Sequence, residues 1–225
     1  MNTNSNRYTV IYTTLVCVLV AAVLAVVSQV LKPRQTANEK AETVRQILVA
    51  SGQGEMEKWR MVDNNAVLEF FNQNIEGTPQ IYTVSQLKEQ NYNIKNGKPL
   101  SLPVYKFKNG ITVVAIYGAG LWGPIWGYIG LEKDLETVAG AYFDHESETP
   151  GLGAKIKDDP AFRVSFRGKK IQLKARPTEG RATFEESCLE FDAISGATMT
   201  SRGLNAAMNN WLYEYVQLLW PKTEE

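Results

Sequence analysis

One histidine and two cysteines are all that 225 residues provide, and 24 basic residues balance 24 acidic ones. Each shortage excludes something. A lone histidine cannot build the histidine-rich ligand sets of zinc centres, and no metal site is expected even with Asp144, Glu146 and Glu148 around His145. As a general base His145 has no nucleophile partner in view, so it reads as a polar turn residue. Cys17 lies in an apolar run and Cys188 far beyond it, so no internal disulfide is expected and Cys188 reads as a small buried side chain. Zero net charge removes the footprint of a nucleic-acid binder. Also missing are the Gly-x-x-x-x-Gly-Lys-Ser/Thr phosphate loop and a Gly-x-Gly-x-x-Gly after a strand, so neither triphosphate hydrolysis nor nicotinamide binding is expected of this chain.

Charge is missing altogether from residues 8–31, YTVIYTTLVCVLVAAVLAVVSQVL. As a helix this run is roughly 36 Å long, enough to cross a bilayer with some tilt. A cleaved signal peptide calls for a shorter apolar run and a small-residue cleavage site; a lipoprotein signal calls for a small residue before Cys17, where Val16 stands. An uncleaved single-pass anchor fits best. Arg7 precedes the run and Lys32, Arg34, Lys40 and Arg45 follow it, a count that favours a cytoplasmic domain, although long domains translocate largely regardless of charge.

The organisation expected is a tail over 1–7, a membrane helix over 8–31, a connecting helix over 32–52 and a soluble domain over 53–225. Lys32-Pro33 reads as the stop between the helices. Ala41, Val44, Ile47 and Leu48 fall on one helical stripe, with Gly52 as C-cap. Short strands are expected at 66–71 and 80–84, and an exposed loop at 91–103. Two strands meet at an Asn109-Gly110 turn, LWGPIWGYIGLE and TVAGAYFDHE continue as strands, and FRVSF-RGKK-IQLKA suggests another hairpin. Residues 203–220 read as a helix carrying Leu204, Ala207, Met208, Trp211, Tyr215 and Leu218 on one face. Grouped strands with flanking helices make the domain α+β with a mainly antiparallel sheet.

Two stretches fit neither core nor linker. DAISGATMTS, 192–201, places Ser195, Thr198, Thr200 and Ser201 just before the last helix, around Gly196-Ala197. Such residues are ordinary N-caps, but there are more hydroxyls than one cap uses. A helix start with free N–H groups, a positive dipole end and Arg202 nearby suits a phosphate. The second stretch, HESETPGLGAKI, offers a Pro150-Gly151 turn and a backbone that a flat ring could approach at Gly151 and Gly153. Glu148 and Thr149 could bond polar edges, and Leu152 could cover a ring face. Alone it would be a surface loop.

Asp192-Ala193-Ile194-Ser195-Gly196-Ala197-Thr198-Met199-Thr200 resembles the flavinylation motif Asp-x-x-Ser/Thr-Gly-Ala-Thr/Ser-x-Thr of the covalent FMN-binding domain family, and Glu148-Thr149-Pro150-Gly151-Leu152-Gly153 resembles that family's second flavin segment. The resemblance implies FMN joined through a phosphoester to Thr200, attached by a separate flavin transferase from FAD. It implies further contacts from Ser195, Gly196, Ala197, Thr198, Glu148, Thr149, Leu152 and Gly153. Anchor, following helix, YGAGLWGPIWGYIGL and both segments occur in the order of the C-subunit branch of bacterial sodium-translocating NADH:quinone reductases, with the Rnf complex's G component as the near relative. Gly118-x-Gly120-Leu121-Trp122 favours the former. Trp122, Trp126 and Tyr128 read first as packing residues, with Trp122 a candidate beside the flavin. The resemblance thus implies a redox subunit that carries electrons between neighbouring centres of a multi-subunit inner-membrane complex, its domain on the periplasmic side. It would be no catalyst on its own. An anchored assembly or sensor module is the alternative from another class.

Overall fold

The structure, a computed structural model, describes residues 6–84, 100–172 and 188–219. Contacts divide the chain into a unit ending at Thr43 and one running from Val44.

The first unit is the greater part of α1, Asn6–Ala50. None of its most apolar window is buried against protein, and the helix is long and apolar enough to cross a membrane. Two of its hydroxyls bond within the helix: Thr13 Oγ1 donates to the Thr9 carbonyl at 2.8 Å and Thr36 Oγ1 to that of Lys32 at 3.1 Å. Lys32-Pro33 is no stop, because Pro33 lies inside a continuous helix. A proline removes one N–H donor and crowds one carbonyl, which a helix this long survives.

In the second unit the last turns of α1 close with a complete Schellman motif: Gly52 N–H donates to Val49 O at 3.0 Å and Gln53 N–H to Leu48 O at 3.1 Å, with Gly52 at φ 73°. Arg45 fixes the next segment, donating from Nε to Trp59 O and from Nη2 to Val62 O and Asn64 Oδ1. Two short helices form there, α2 (Met56–Arg60) and α3 (Asn64–Asn74). The strand expected at 66–71 is therefore helix. Asp63 caps it by accepting from Asn65 N–H, and Val67 and Phe71, one turn apart, are its buried face.

Five strands form an antiparallel meander in chain order: β1 (Gln80–Val84), β2 (Leu100–Lys106), β3 (Thr112–Ala119), β4 (Pro124–Leu131) and β5 (Val138–His145). Residues 100–103, expected in an exposed loop, are strand, and Leu102 is fully buried; 91–99 lie outside the described residues. The Asn109-Gly110 hairpin is present, closed by Gly110 N–H to Phe107 O at 2.8 Å. Among the described residues the hairpin expected around Arg167–Lys170 is not, because its first arm is helical. Asp159 and Pro160 begin a helix there, α5 (Pro160–Val164), directly after α4 (Lys155–Asp158), and the following residues 168–171 run beside Glu136–Val138 with Lys170 in an isolated bridge to Thr137. Residues 173–175 of that expectation lie outside the described residues.

Both sheet faces are covered. One packs on α4, α5 and the final helix α6 (Thr198–Leu219) through Val114, Ile116, Ile129, Phe143, Leu204, Met208 and Trp211. The other meets Ile47, Leu48, Trp59, Val67 and Phe71 through Val113 and Tyr142. An added Cβ at Gly130 or Gly140 would collide with the Ala50 carbonyl, so these glycines let the end of α1 settle directly on β4 and β5. Tyr215 pins α6 to the sheet, donating to Pro103 O at 2.9 Å and accepting from Ala115 N–H at 3.3 Å.

Candidate functional site

α6 starts at Thr198, five residues before the expected 203, so Thr200 and Ser201 occupy its first turn. Helix and strand approach closely here: a Cβ on Gly118 would lie 2.7 Å from Ala207 Cβ, and one on Gly203 would strike the Ala119 carbonyl. Ser201 Oγ accepts from Ile194 N–H at 3.0 Å, tying the preceding turn to the helix, and Gly196 takes φ 78° within it. Ile194 and Ala197 face the core, leaving Ser195, Gly196, Thr198 and Met199 exposed.

The second stretch meets the first. β5 delivers His145, whose Nδ1 accepts from Glu148 N–H at 3.2 Å, which is the turn role expected of it. Glu148 then points inward. Its Oε2 accepts from Thr200 Oγ1 at 2.5 Å, and its Oε1 accepts from Trp122 N–H at 2.9 Å. Thr200 and Glu148 are 1% and 4% exposed. The carboxyl group sits in a slot between two glycines: a Cβ on Gly120 would collide with Oε1, and one on Gly153 with Oε2 and, at 2.6 Å, with Thr200 Oγ1. Leu152 and Ala154 N–H both return to Thr149 O at 3.1 Å, forming the turn that holds Gly153 there. Leu152 Cδ2 reaches the Gly196 backbone, so the two stretches also touch through an apolar side chain.

Among exposed polar neighbours, apolar side chains also reach the surface around this buried pair. Trp122 is 67% exposed, and Leu121, Leu152 and Met199 are also exposed. Isolated exposed apolar residues need no explanation, but three of these flank Glu148 and Thr200 in contact or in sequence. Trp122 is thus no packing residue; Trp126 and Tyr128 are half-buried on β4. Sequence reasoning placed Glu148 beside a cofactor's polar edges and missed its bond to Thr200, a contact across 52 residues with no local signal. It gave no role to Met199 or to Gly153's fit against the hydroxyl. Cys188 is buried, and burial pushes its thiol up to about 12, which makes it inert. Among the described residues no three His, Cys, Asp or Glu side chains are grouped to hold a metal.

These elements fit a flat, partly apolar group carrying a phosphate: glycines that admit close approach, exposed apolar side chains and a hydroxyl in a helix's first turn. Fold and site define a flavin-binding domain, and residues 120–213 match the family described as the FMN-binding domain. The chain has curated homologues that are C subunits of Na(+)-translocating NADH-quinone reductases. It is 32% identical to the C subunit of Chlamydia muridarum over 77% of its own length and 60% of the relative's. It is 38% identical to that of Yersinia pestis over 46% of its length and 40% of the relative's. It therefore spans less than two thirds of the length of these curated relatives. Among solved structures, the C subunit from Parabacteroides distasonis superposes with a TM-score of 0.64 and 28% identity, over 86% of this chain and 98% of that one. NqrC of Shewanella oneidensis, 23% identical with a TM-score of 0.57 over 80% of this chain and 95% of that one, shares the fold. The resemblance drawn from the two motifs holds in sequence and in fold.

Proposed function

We propose that this chain is the membrane-anchored electron carrier of a sodium-translocating NADH:quinone reductase complex, with FMN held covalently through a phosphoester to Thr200. The single observation that carries this reading is the Thr200 hydroxyl, set in the first turn of α6 and engaged by Glu148 inside the region that matches the FMN-binding domain. Bound FMN supplies electron acceptance and release; the protein sets its position and surroundings. Ser195, Gly196, Ala197 and Thr198 would hold the phosphate end through the helix start, and Thr149, Leu152, Gly153 and Trp122 would line the ring and its chain.

Attachment would join the flavin-side phosphate of FAD to Thr200 Oγ, with AMP as the leaving group and the hydroxyl proton set free. A flavin transferase would bring the donor. Glu148 Oε2 already accepts that hydrogen and is the atom placed to hold the proton as the oxygen becomes a nucleophile. Trp122 N–H and the two glycines keep the carboxyl group oriented. The diester that results has one negative charge, which the positive end of α6 favours. α1 would anchor the domain in the inner membrane, facing the periplasm with the other subunits around it. The Chlamydia, Yersinia and Parabacteroides relatives support the quinone-reductase branch over the Rnf one.

Mass spectrometry of natively expressed protein tests the reading. A gain of FMN less one water on the Thr200 peptide is expected, and its loss in a folded T200V variant. Flavin fluorescence retained by T200V on a denaturing gel, or an unmodified peptide from cells containing the transferase, overturns it.

A further inference from the structure

Glu148 is held through its backbone as well as its carboxyl group. His145 Nδ1 accepts from Glu148 N–H at 3.2 Å, closing the turn that leads from the end of β5 into the slot. A ring nitrogen accepts only while it is unprotonated, so this bond requires a neutral imidazole with its hydrogen on Nε2. The backbone of His145 is anchored independently. Asp144 Oδ1 accepts from His145 N–H at 2.8 Å, and the buried Asp144 carboxylate is held by Gln46 Nε2 at 2.9 Å and Lys157 Nζ at 2.7 Å. Within the turn, Glu146 N–H donates to Pro124 O and Ser147 Oγ to Trp122 O, both at 3.1 Å. The imidazole is therefore the one titratable link in a turn otherwise fixed by backbone.

A proton on His145 would act against Glu148 in two ways. Nδ1–H would face Glu148 N–H, donor against donor, and the turn would lose a bond. The positive ring, three residues from the carboxyl group, would also weaken Glu148 as a proton acceptor. Alternation along β5 puts His145 on the face of Phe143, toward α4, α5 and α6, and Asp144 on the opposite face. Its own segment carries Asp144, Glu146 and Glu148; α4 carries Lys155, Lys157 and Asp158, α5 carries Arg163, and Arg202 lies near the start of α6. Lys157 is engaged by Asp144. β4 places Ile125 opposite His145 and has no charged residue, with Tyr128 its only titratable one.

We infer that His145 is the positioning residue for Glu148 in flavin attachment, effective only while its imidazole is neutral. This rests on the flavin reading above and deepens it. Attachment becomes sensitive to mildly acidic pH through a residue that acts on Glu148 rather than on the reacting atoms.

The test uses full-length, detergent-solubilised protein made without the transferase, then mixed with FAD and the transferase. The rate of FMN gain on the Thr200 peptide is followed by mass from about pH 8 to about pH 5, the range in which histidines change charge. In H145N the amide oxygen can accept the same N–H, as at a helix cap, and does not titrate. Relative to H145N, wild type should lose about fivefold in rate between the alkaline and acid ends, the loss of one hydrogen bond. Taking the ratio cancels the pH dependence of the transferase and of Glu148 itself. H145L has no acceptor and should be about fivefold slower than wild type at the alkaline end, with its melting temperature checked alongside. If H145L does not fold, the ratio of wild type to H145N decides. A ratio that does not change with pH, in wild type that does take up FMN, overturns this inference and leaves the flavin reading standing. Wild type that takes up no FMN overturns both.

Discussion

Glu148 and Arg163 are buried to the same degree, each 4% exposed, and they are treated in opposite ways. Glu148 has both oxygens occupied, by Thr200 and by Trp122 N–H, inside a slot kept open by Gly120 and Gly153. Arg163 has one nitrogen occupied and a whole edge without partner among the described residues. A buried charge completed from within belongs to the internal scaffold and can position a neighbour. A buried charge left incomplete carries an uncompensated desolvation cost. Burial alone does not separate these roles; the census of hydrogen bonds does.

The largest effect should come from closing the Glu148 slot. Gly153→Ala puts a methyl group where Oε2 and the Thr200 hydroxyl meet. It should abolish flavin attachment, read by mass, and cost about 2–3 kcal/mol in denaturant unfolding. Glu148→Ala leaves the Trp122 N–H and Thr200 hydroxyl unpaired and should cost about 1–3 kcal/mol. The milder Glu148→Gln keeps the shape but cannot take a proton, and should slow transferase-dependent attachment roughly 100-fold with the fold intact. Attachment at the wild-type rate in that variant would reduce Glu148 to a packing residue.

Arg163 should respond differently. Arg163→Met removes an incompletely paired buried charge, so unfolding should be unchanged or up to about 1 kcal/mol more favourable to the folded state. A large destabilisation would place Arg163 in the scaffold beside Glu148. Asp134, fully exposed, supplies the smallest effect. It accepts from the Thr137 hydroxyl at 2.6 Å and from the Thr137 and Glu136 N–H groups, which lower its carboxyl from 3.8 to about 2. Because the folded value lies below the unfolded one, its contribution is complete above pH 3.8 and is lost as pH falls through about 2. Asp134→Asn should flatten the stability profile only in that acid window, measured by thermal unfolding at stepped pH.

Much of the fold was legible in the sequence where the signal was local. The apolar run of α1, the Gly52 cap, the Asn109-Gly110 hairpin and the face of α6 from Leu204 to Tyr215 each rest on neighbours within a few residues. The misreadings share a cause. AVLEFF at 66–71 and the run after Asp159-Pro160 are short apolar segments that suit strand or helix alike. The caps at Asp63 and Asp159 decided for helix.

By itself the sequence determined where the chain is apolar enough to leave water, where it turns, and which two motifs hold the hydroxyl and glycines of a flavin site. Only the tertiary structure decided that Glu148 meets Thr200, that Gly120 and Gly153 clasp its carboxyl group, and that Arg163 is buried with an edge to spare. Periodicity and capping are set by backbone geometry over one or two turns. Contacts across tens of residues, by contrast, exist only once sheet and helices have packed and fixed which side chains share a space.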